Sequence, residues 1–67
     1  MPQFAEKVVF KGVKSLKETD LAVLCRIDGK SVWIPKSQID DDSEVWEGNQ
    51  EGDLVISEWI AIEKRLV

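Results

Sequence analysis

The sequence contains no histidine and only one cysteine, Cys25, among its 67 residues. Without histidine, the chain lacks the side chain most often used for acid–base catalysis near neutral pH and the commonest zinc ligand. Cys25 falls in the middle of a predicted strand, where a thiol behaves as a small hydrophobic group, and no histidine is present to activate it. Because no nucleophile–base pair and no cofactor-binding fingerprint is visible, we expect neither an enzyme nor a bound cofactor or metal.

A single cysteine also excludes an internal disulfide, whereas small secreted domains usually carry several. No stretch approaches the ~20 apolar residues of a membrane-spanning helix, and Met1 to Lys17 does not resemble a signal peptide. We therefore expect a cytoplasmic protein with no membrane partner. With 43% hydrophobic and 33% charged residues, the composition is that of one globular domain over residues 1–67.

The charge is unevenly distributed along the chain, although the formal net charge of −4 argues against binding nucleic acid or anionic membranes through net attraction. A basic group near the start consists of Lys7, Lys11, Lys14 and Lys17. An acidic segment with no basic residue follows later and contains Asp40, Asp41, Asp42, Glu44, Glu47, Glu51 and Asp53. The basic group suits an acidic partner, and the acidic segment suits a basic one.

The most informative segment runs from Leu21 to Ile39, where two apolar runs meet at Asp28-Gly29. Asp-Gly favours a two-residue type I′ hairpin turn, because both central positions need positive φ. The turn predicts the pairs Ile27 with Lys30, Arg26 with Ser31, Cys25 with Val32, Leu24 with Trp33, and Val23 with Ile34. The inward face then carries Val23, Cys25, Ile27, Val32 and Ile34. The opposite face carries Ala22, Leu24, Arg26, Ser31 and Trp33, which is too apolar for a plain solvent-facing surface.

Two further strands and a turn are predicted around this hairpin. A first strand runs from Phe4 to Val13, ending near Gly12, with Val8 and Phe10 on one side and Val13 on the other. Residues 14–20 form a polar link, and residues 36–39 form one tight turn, of 3₁₀ type, that returns Ile39 to the core. A short strand covers residues 54–56.

A short helix is predicted from Glu58 to Leu66, with Ser57 as its N-cap and an acid in its first turn. Such a helix is too short to be stable alone and must be held by contacts with the sheet. The alternative is that the preceding strand continues from Leu54 through Ile62, because short apolar runs are ambiguous between the two structures.

The acidic segment has partial calcium-loop spacing, with carboxylates at positions one, three, five and twelve, namely Asp40, Asp42, Glu44 and Glu51. Position six is Val45, however, where the sharp turn of an EF-hand requires glycine. We therefore interpret the segment as a solvated acidic loop or as an acidic surface offered to a basic partner, including one that imitates nucleic-acid phosphate.

Three tryptophans are many for so short a chain, and tryptophan is enriched in small cores and at binding hot spots. Trp59 is predicted to seal the helix against the sheet. Trp46 either anchors the acidic loop or is an exposed contact residue. Trp33 forms a flat patch with Arg26 and Lys36 on the outer sheet face, unless the helix or the first strand covers it as a second core layer.

The segments VWIPKSQID and LVISEWIAIEKRL resemble a class of short bacterial and phage proteins with WIPKSQI-like and SEWIA-like segments. The match covers residues 22–66 and implies a phage or mobile-element setting, but the class supplies no activity to transfer to individual residues. The chain departs from the pattern at Arg65, where glycine would make a natural helix C-cap. Separately, Trp33-Ile34-Pro35 with its polar turn is similar to the strand-to-3₁₀ corner of SH3-like barrels.

Together these features predict a mainly β fold: a small SH3/OB-like bent sheet or barrel of three to four strands with a short C-terminal helix. The predicted function is noncatalytic binding of a macromolecule by a phage or mobile-element accessory protein, with a protein as the leading partner. The alternative is a barrel that binds single-stranded nucleic acid through the basic group and Trp33, and pairing with a second copy would also complete a core this small. The candidate binding residues are Trp33, Arg26, Lys36, Trp46, Asp41, Asp42 and Glu44.

Overall fold

The computed structural model describes residues 6–67, and within them the chain is mainly β, with a short C-terminal helix. The strands are β1 (Lys7–Glu18), β2 (Ala22–Ile27), β3 (Lys30–Pro35) and β4 (Glu51–Ser57), and the helix is α1 (Glu58–Glu63). All pairings are antiparallel, in one open sheet of order β3-β2-β1-β4. The predicted class, a small bent sheet of three to four strands with a C-terminal helix, is confirmed. No helix among residues 6–67 is long and apolar enough to cross a membrane.

The Asp28-Gly29 hairpin is confirmed together with its register. Asp28 has φ 50° and Gly29 has φ 80°, as a type I′ turn requires. Every predicted pair is present, including Leu24 opposite Trp33 and Cys25 opposite Val32. The chain then makes a 3₁₀ turn at Lys36–Gln38 and returns Ile39 to the interior, as predicted.

The first strand differs from its prediction, because β1 continues to Glu18 instead of ending near Gly12. A bulge between Phe10 and Val13 places Gly12 at φ 67° and shifts the alternation of side chains by one position. Val13 therefore faces the core together with Val8 and Phe10, and the prediction that it lies on the other side is wrong. The predicted strand start at Phe4 lies outside the described residues.

The outer edge of β4 is covered by the chain that follows the 3₁₀ turn. Ile39 makes a single bridge with Ile56, and the Asp40 N–H donates to the Val55 carbonyl at 2.8 Å. The Glu44 N–H donates to the Asp53 carbonyl at 2.8 Å. The acidic segment is therefore held along a strand edge, which would otherwise expose unpaired backbone groups.

The C-terminal helix begins where predicted, since the Ser57 hydroxyl accepts a hydrogen bond from the Ile60 N–H at 3.2 Å. It ends at Glu63, three residues before the predicted Leu66. Ile60 and Ala61 are its buried residues. Trp59 is 61% exposed, so the prediction that it seals the helix against the sheet is wrong: Ile60 and Ala61 fill that contact, and Trp59 falls on the other side of the turn.

The core lies between the concave side of the sheet, α1 and the acidic segment. Its buried residues are Val13, Val23, Cys25, Ile27, Ile34, Ile39, Val45, Leu54, Ile56, Ile60 and Ala61. Val8, Phe10, Val32 and Leu66 pack against them while partly exposed. The sheet therefore buries one face and leaves the other face of the hairpin available for contacts.

Candidate functional site

All three tryptophans have large exposed fractions in the folded chain. Trp33 is 41% exposed, Trp46 is 54% exposed and Trp59 is 61% exposed. Trp33 therefore does not form a buried second layer, and Trp46 is exposed instead of anchoring its loop. Exposed indoles are costly to leave in water and are enriched at protein interfaces, which makes their surroundings the first places to look for a site.

The loop that carries Trp46 is held firmly by hydrogen bonds from neighbouring residues. The side-chain oxygen of Gln50 accepts from the Trp46 N–H at 2.8 Å and from the Glu47 N–H at 3.0 Å. The Gln50 N–H donates in turn to the Ser15 hydroxyl at 2.7 Å. Val45, beside Trp46 in sequence, is fully buried and anchors the loop to the core. Trp46 is thus exposed from a fixed backbone.

A pocket of about 310 Å³ opens beside Trp46. Its walls are Lys36, Ile39, Asp40, Asp41, Ser43 and Trp46. The 3₁₀ turn supplies Lys36, and the acidic segment supplies the rest. The pocket therefore brings together three of the predicted binding residues, Lys36, Asp41 and Trp46. Lys36 lies here and does not join Trp33 and Arg26 in the one patch that the sequence predicts.

Asp40 contributes a buried carboxylate to this pocket, with only 4% of its side chain exposed. Its Oδ1 accepts a hydrogen bond from the Asp42 N–H at 3.0 Å and lies 3.6 Å from the Lys7 ammonium. Its Oδ2 is buried and has no hydrogen-bond partner among the described residues. A buried carboxylate oxygen without a donor is unfavourable, so a residue of the pocket wall has a hydrogen bond still unmade.

Among the residues that the structure describes, the one cation in the pocket wall, Lys36, is already paired. The Lys36 ammonium donates to Glu18 Oε2 at 2.7 Å, and the Gly48 N–H donates to Glu18 Oε1 at 3.1 Å. The hydrogen bond from Lys36, followed by that from Gly48, lowers the pKa of the Glu18 carboxyl below its ordinary value of 4.5. Since Glu18 offsets the charge of Lys36, the carboxylates of Asp40 and Asp41 determine the charge of the pocket.

The other two predicted acidic residues have different positions. Glu44 accepts a hydrogen bond from the Asp53 N–H at 2.8 Å through Oε1, so it supports the edge of β4. Asp42 is exposed and accepts a hydrogen bond from the Lys7 ammonium at 3.3 Å. This hydrogen bond is the main reason why the pKa of Lys7 is raised above 10.5. Asp42 and Glu44 therefore lie outside the pocket wall, although they add negative charge to the same segment.

Trp33 and Arg26 lie on a second surface, the outer sheet face, which we define as Trp33, Leu24, Lys17, Ser31, Arg26 and Lys14. The register places Trp33 opposite Leu24 and Leu24 opposite Lys17. It likewise places Arg26 between Ser31 and Lys14. Residues paired across neighbouring strands point to the same side of a sheet, so these six side chains share one face.

No protein-family model matches this chain, and no curated protein or solved structure is significantly similar to it. The resemblance to short bacterial and phage proteins, and the setting that it implies, therefore stay predictions.

Sequence reasoning left out two residues of the pocket and did not place two lysines of the outer sheet face on their strand. Asp40 and Ser43 line the pocket but were not among the candidate residues. Asp40 could have been found from its position directly after Ile39, which was predicted to return to the core. Lys14 and Lys17 belong to the basic group of the nucleic-acid alternative, but they were assigned to a polar link. Only the continuation of β1 reveals that they lie beside Arg26 and Leu24.

Two other sequence features are accounted for by the fold. Burial raises the pKa of the Cys25 thiol to about 11, so little thiolate forms at neutral pH and the residue is a poor nucleophile. Among residues 6–67, no group of three or more acidic or cysteine side chains is arranged to hold a metal ion. Cys25 therefore belongs to the core.

Proposed function

We propose that this chain is a noncatalytic accessory protein of a phage or mobile element that binds a basic segment of a partner protein in the pocket beside Trp46. The observation that carries the proposal is the combination of an exposed indole with the buried, partly unsatisfied carboxylate of Asp40 in one pocket wall. An arginine or lysine side chain has the properties that both groups accept: a positive charge, several N–H donors and an apolar stem.

The indole of Trp46 supports this occupant through its electron-rich face. A cation placed over a tryptophan ring is attracted to it, by about 0.5–1 kcal/mol at an exposed site and by more when water is excluded. The backbone of Trp46 also loses little conformational entropy on binding, because its N–H is already hydrogen-bonded to Gln50.

The charges around the pocket support a basic partner over an acidic one. Asp41 is exposed and forms no ion pair within the described part of the chain. The nearest cations, Lys7 and Lys36, are each paired with carboxylates. A basic segment therefore gains attraction from Asp41 without repulsion from a free cation. The single charge of Lys7 is shared between Asp40 and Asp42, so these two carboxylates together add further negative charge.

The test is a titration followed by two-dimensional amide NMR, with the blocked peptides Gly-Arg-Gly and Gly-Glu-Gly as probes. The arginine peptide is expected to shift the Trp46 indole N–H and the amides of residues 36–46, and the glutamate peptide is expected to leave them in place. Trp46→Ala is expected to abolish the response. Trp59→Ala, which removes an indole of similar exposure on α1, is the matched control and should respond as the wild type does.

The contribution of charge is tested with a second matched pair. Asp41→Asn is expected to weaken binding of the arginine peptide, whereas Asp28→Asn removes the same charge at the hairpin turn and should have little effect. Equal weakening by both variants would reduce the interaction to net charge and contradict a defined pocket. Shifts that persist in Trp46→Ala, or equal shifts with both peptides, would reject the proposal.

Self-association is a separate expectation from the size of the chain and the exposed apolar residues. Light scattering during gel filtration measures the mass directly. Dimerisation that disappears in Trp46→Ala would assign the pocket to a second copy of this chain and would replace the basic partner segment in the proposal.

A further inference from the structure

The basic residues near the start of the chain fall into two groups in the folded structure. Lys7 lies close to Asp40 and Asp42, and Lys11 lies 3.7 Å from Asp53, so these two cations are offset by the acidic segment. Lys14, Lys17 and Arg26 form no ion pair with any residue in the range 6–67. The fold thus neutralises one half of the basic group and leaves the other half free.

These free cations lie together on the outer sheet face. Lys14 is the register partner of Arg26 on β2, and Lys17 is the partner of Leu24. On its other side Lys14 is paired with Glu51 of β4, an exposed carboxylate on the same face with which it forms no ion pair. Neighbouring strands are about 4.8 Å apart, and side chains on one face recur roughly every 6.8 Å along a strand. Three positive charges therefore lie within a small area of the outer sheet face, and all three side chains are exposed.

Trp33 lies at the border of this cluster, on the edge strand β3. It is 41% exposed and pairs with Leu24, whose other neighbour is Lys17. Arg26 is two residues from Leu24 and therefore diagonal to Trp33, at a distance of roughly 7–8 Å between backbones. An exposed indole thus lies diagonal to Arg26 and two strand spacings, about 9.6 Å, from Lys17.

We propose that the outer sheet face binds single-stranded nucleic acid, a function distinct from the peptide pocket beside Trp46. Phosphates match the three unpaired cations, and an unpaired base provides the flat ring that stacks on Trp33. An acidic peptide would match the cations but would leave the indole without a stacking partner. A duplex would hide its bases, which favours the single strand over double-stranded nucleic acid.

Three phosphate contacts give a defined dependence on salt. For a single strand, the logarithm of the binding constant falls with the logarithm of salt concentration with a slope of about −0.7 for each phosphate neutralised, or about −2 for three. Raising the NaCl concentration tenfold, from roughly 20 mM to roughly 200 mM, should weaken binding about 100-fold. The net charge of −4 makes binding weak at physiological salt, so the measurement begins at low salt.

The experiment is a fluorescence anisotropy titration of a labelled oligo-dT of about 15 nucleotides, with a duplex of the same length for comparison. Trp33→Ala is expected to weaken binding by at least about fivefold, because stacking of one base is lost. Trp46→Ala is expected to bind as the wild type does. For the arginine peptide the expectation is reversed: Trp46→Ala abolishes binding and Trp33→Ala leaves it unchanged. Failure of one proposed site is therefore distinguishable from failure of the other.

Lys14→Gln and Lys11→Gln form a matched pair, since both remove one positive charge from an exposed position on β1. Lys14→Gln is expected to reduce the salt slope by about 0.7, whereas Lys11→Gln should leave it unchanged. The amide NMR spectrum of each variant verifies that the fold is intact.

Four results would overturn the proposal. The first is that oligo-dT does not bind at low salt, and the second is that Lys14→Gln and Lys11→Gln change the salt slope equally. The third is that the duplex binds as tightly as the single strand, and the fourth is that Trp33→Ala binds with unchanged affinity. Competition with a poly-glutamate peptide tests whether an acidic protein segment is the true ligand of this face. Displacement of oligo-dT by the peptide at equal charge concentration would assign the face to an acidic protein and overturn the proposal.

Discussion

The hydroxyl oxygen of Ser43 accepts a hydrogen bond from the backbone N–H of Val55 at 3.0 Å, so a side chain takes the place of a neighbouring strand beside β4. The same hydroxyl donates to the Val45 carbonyl at 2.7 Å. Ser43 therefore links the edge of the sheet to the loop that supports Trp46, and it lines the pocket as well.

Ser43→Ala is expected to destabilise the protein by about 1–3 kcal/mol, because it leaves the buried N–H of Val55 without an acceptor. Urea denaturation measures the change in the free energy of unfolding. Ser31→Ala, at an exposed position of β3, is the control and should differ from the wild type by less than about 0.5 kcal/mol. A Ser43→Ala variant as stable as the control would mean that water satisfies the Val55 N–H.

Arg65→Gly is expected to stabilise the protein by about 0.5–1 kcal/mol. Arg65 has φ 57° in the turn that ends α1, where the Arg65 N–H donates to the Ile62 carbonyl and the Leu66 N–H donates to the Ala61 carbonyl, each at 2.8–2.9 Å. This is the left-handed position that glycine occupies without steric cost. Thermal unfolding followed by circular dichroism measures the gain.

Lys64→Gly is the matched control for that substitution, since Lys64 has φ −89° and gains nothing from glycine. It should destabilise the protein through lost backbone restriction. Equal effects of the two substitutions would show that the turn at Arg65 is not strained.

Gly12→Ala is expected to destabilise the protein by about 1–2 kcal/mol, because φ 67° at the bulge of β1 is unfavourable for any residue with a Cβ. The effect comes from backbone strain alone, since an added Cβ would meet no atom within 4 Å. Gly48→Ala, where a Cβ would be in ordinary contact at 3.7 Å, is the control and should change stability little. Chemical denaturation separates the two, and a neutral Gly12→Ala would mean that the bulge can move.

The ion pair between Glu18 and Lys36 should make stability depend on pH in acid. The pKa of Glu18 is lower in the folded protein than its ordinary value of 4.5, so the stabilisation is complete above 4.5 and is lost as pH falls through the folded pKa. The difference in unfolding free energy between the wild type and Glu18→Gln should therefore shrink below pH 4.5. Asp20→Asn, which removes one exposed charge nearby, controls for net charge, and a difference that stays constant with pH would reject the linkage.

Local chemistry made the hairpin, the 3₁₀ turn and the helix start predictable. Asp28-Gly29 sets the register of β2 and β3 because both turn positions need positive φ. Ser57 caps the helix because its hydroxyl reaches an N–H three residues later. Each of these features depends on residues that are close in sequence, so the sequence by itself determined them.

Tertiary structure alone decided the course of β1 and the division of the candidate residues into two surfaces. The bulge at Gly12 depends on pairing with β4, which is distant in sequence, and it moves Val13 into the core. Pairing with β2 carries β1 on from Lys14 to Glu18. The position of Lys36 follows from its contact with Glu18, and that of Trp46 from the hydrogen bonds of Gln50. Alternation patterns describe one strand at a time, whereas a bulge or a long-range hydrogen bond is selected by the free energy of the whole assembled fold.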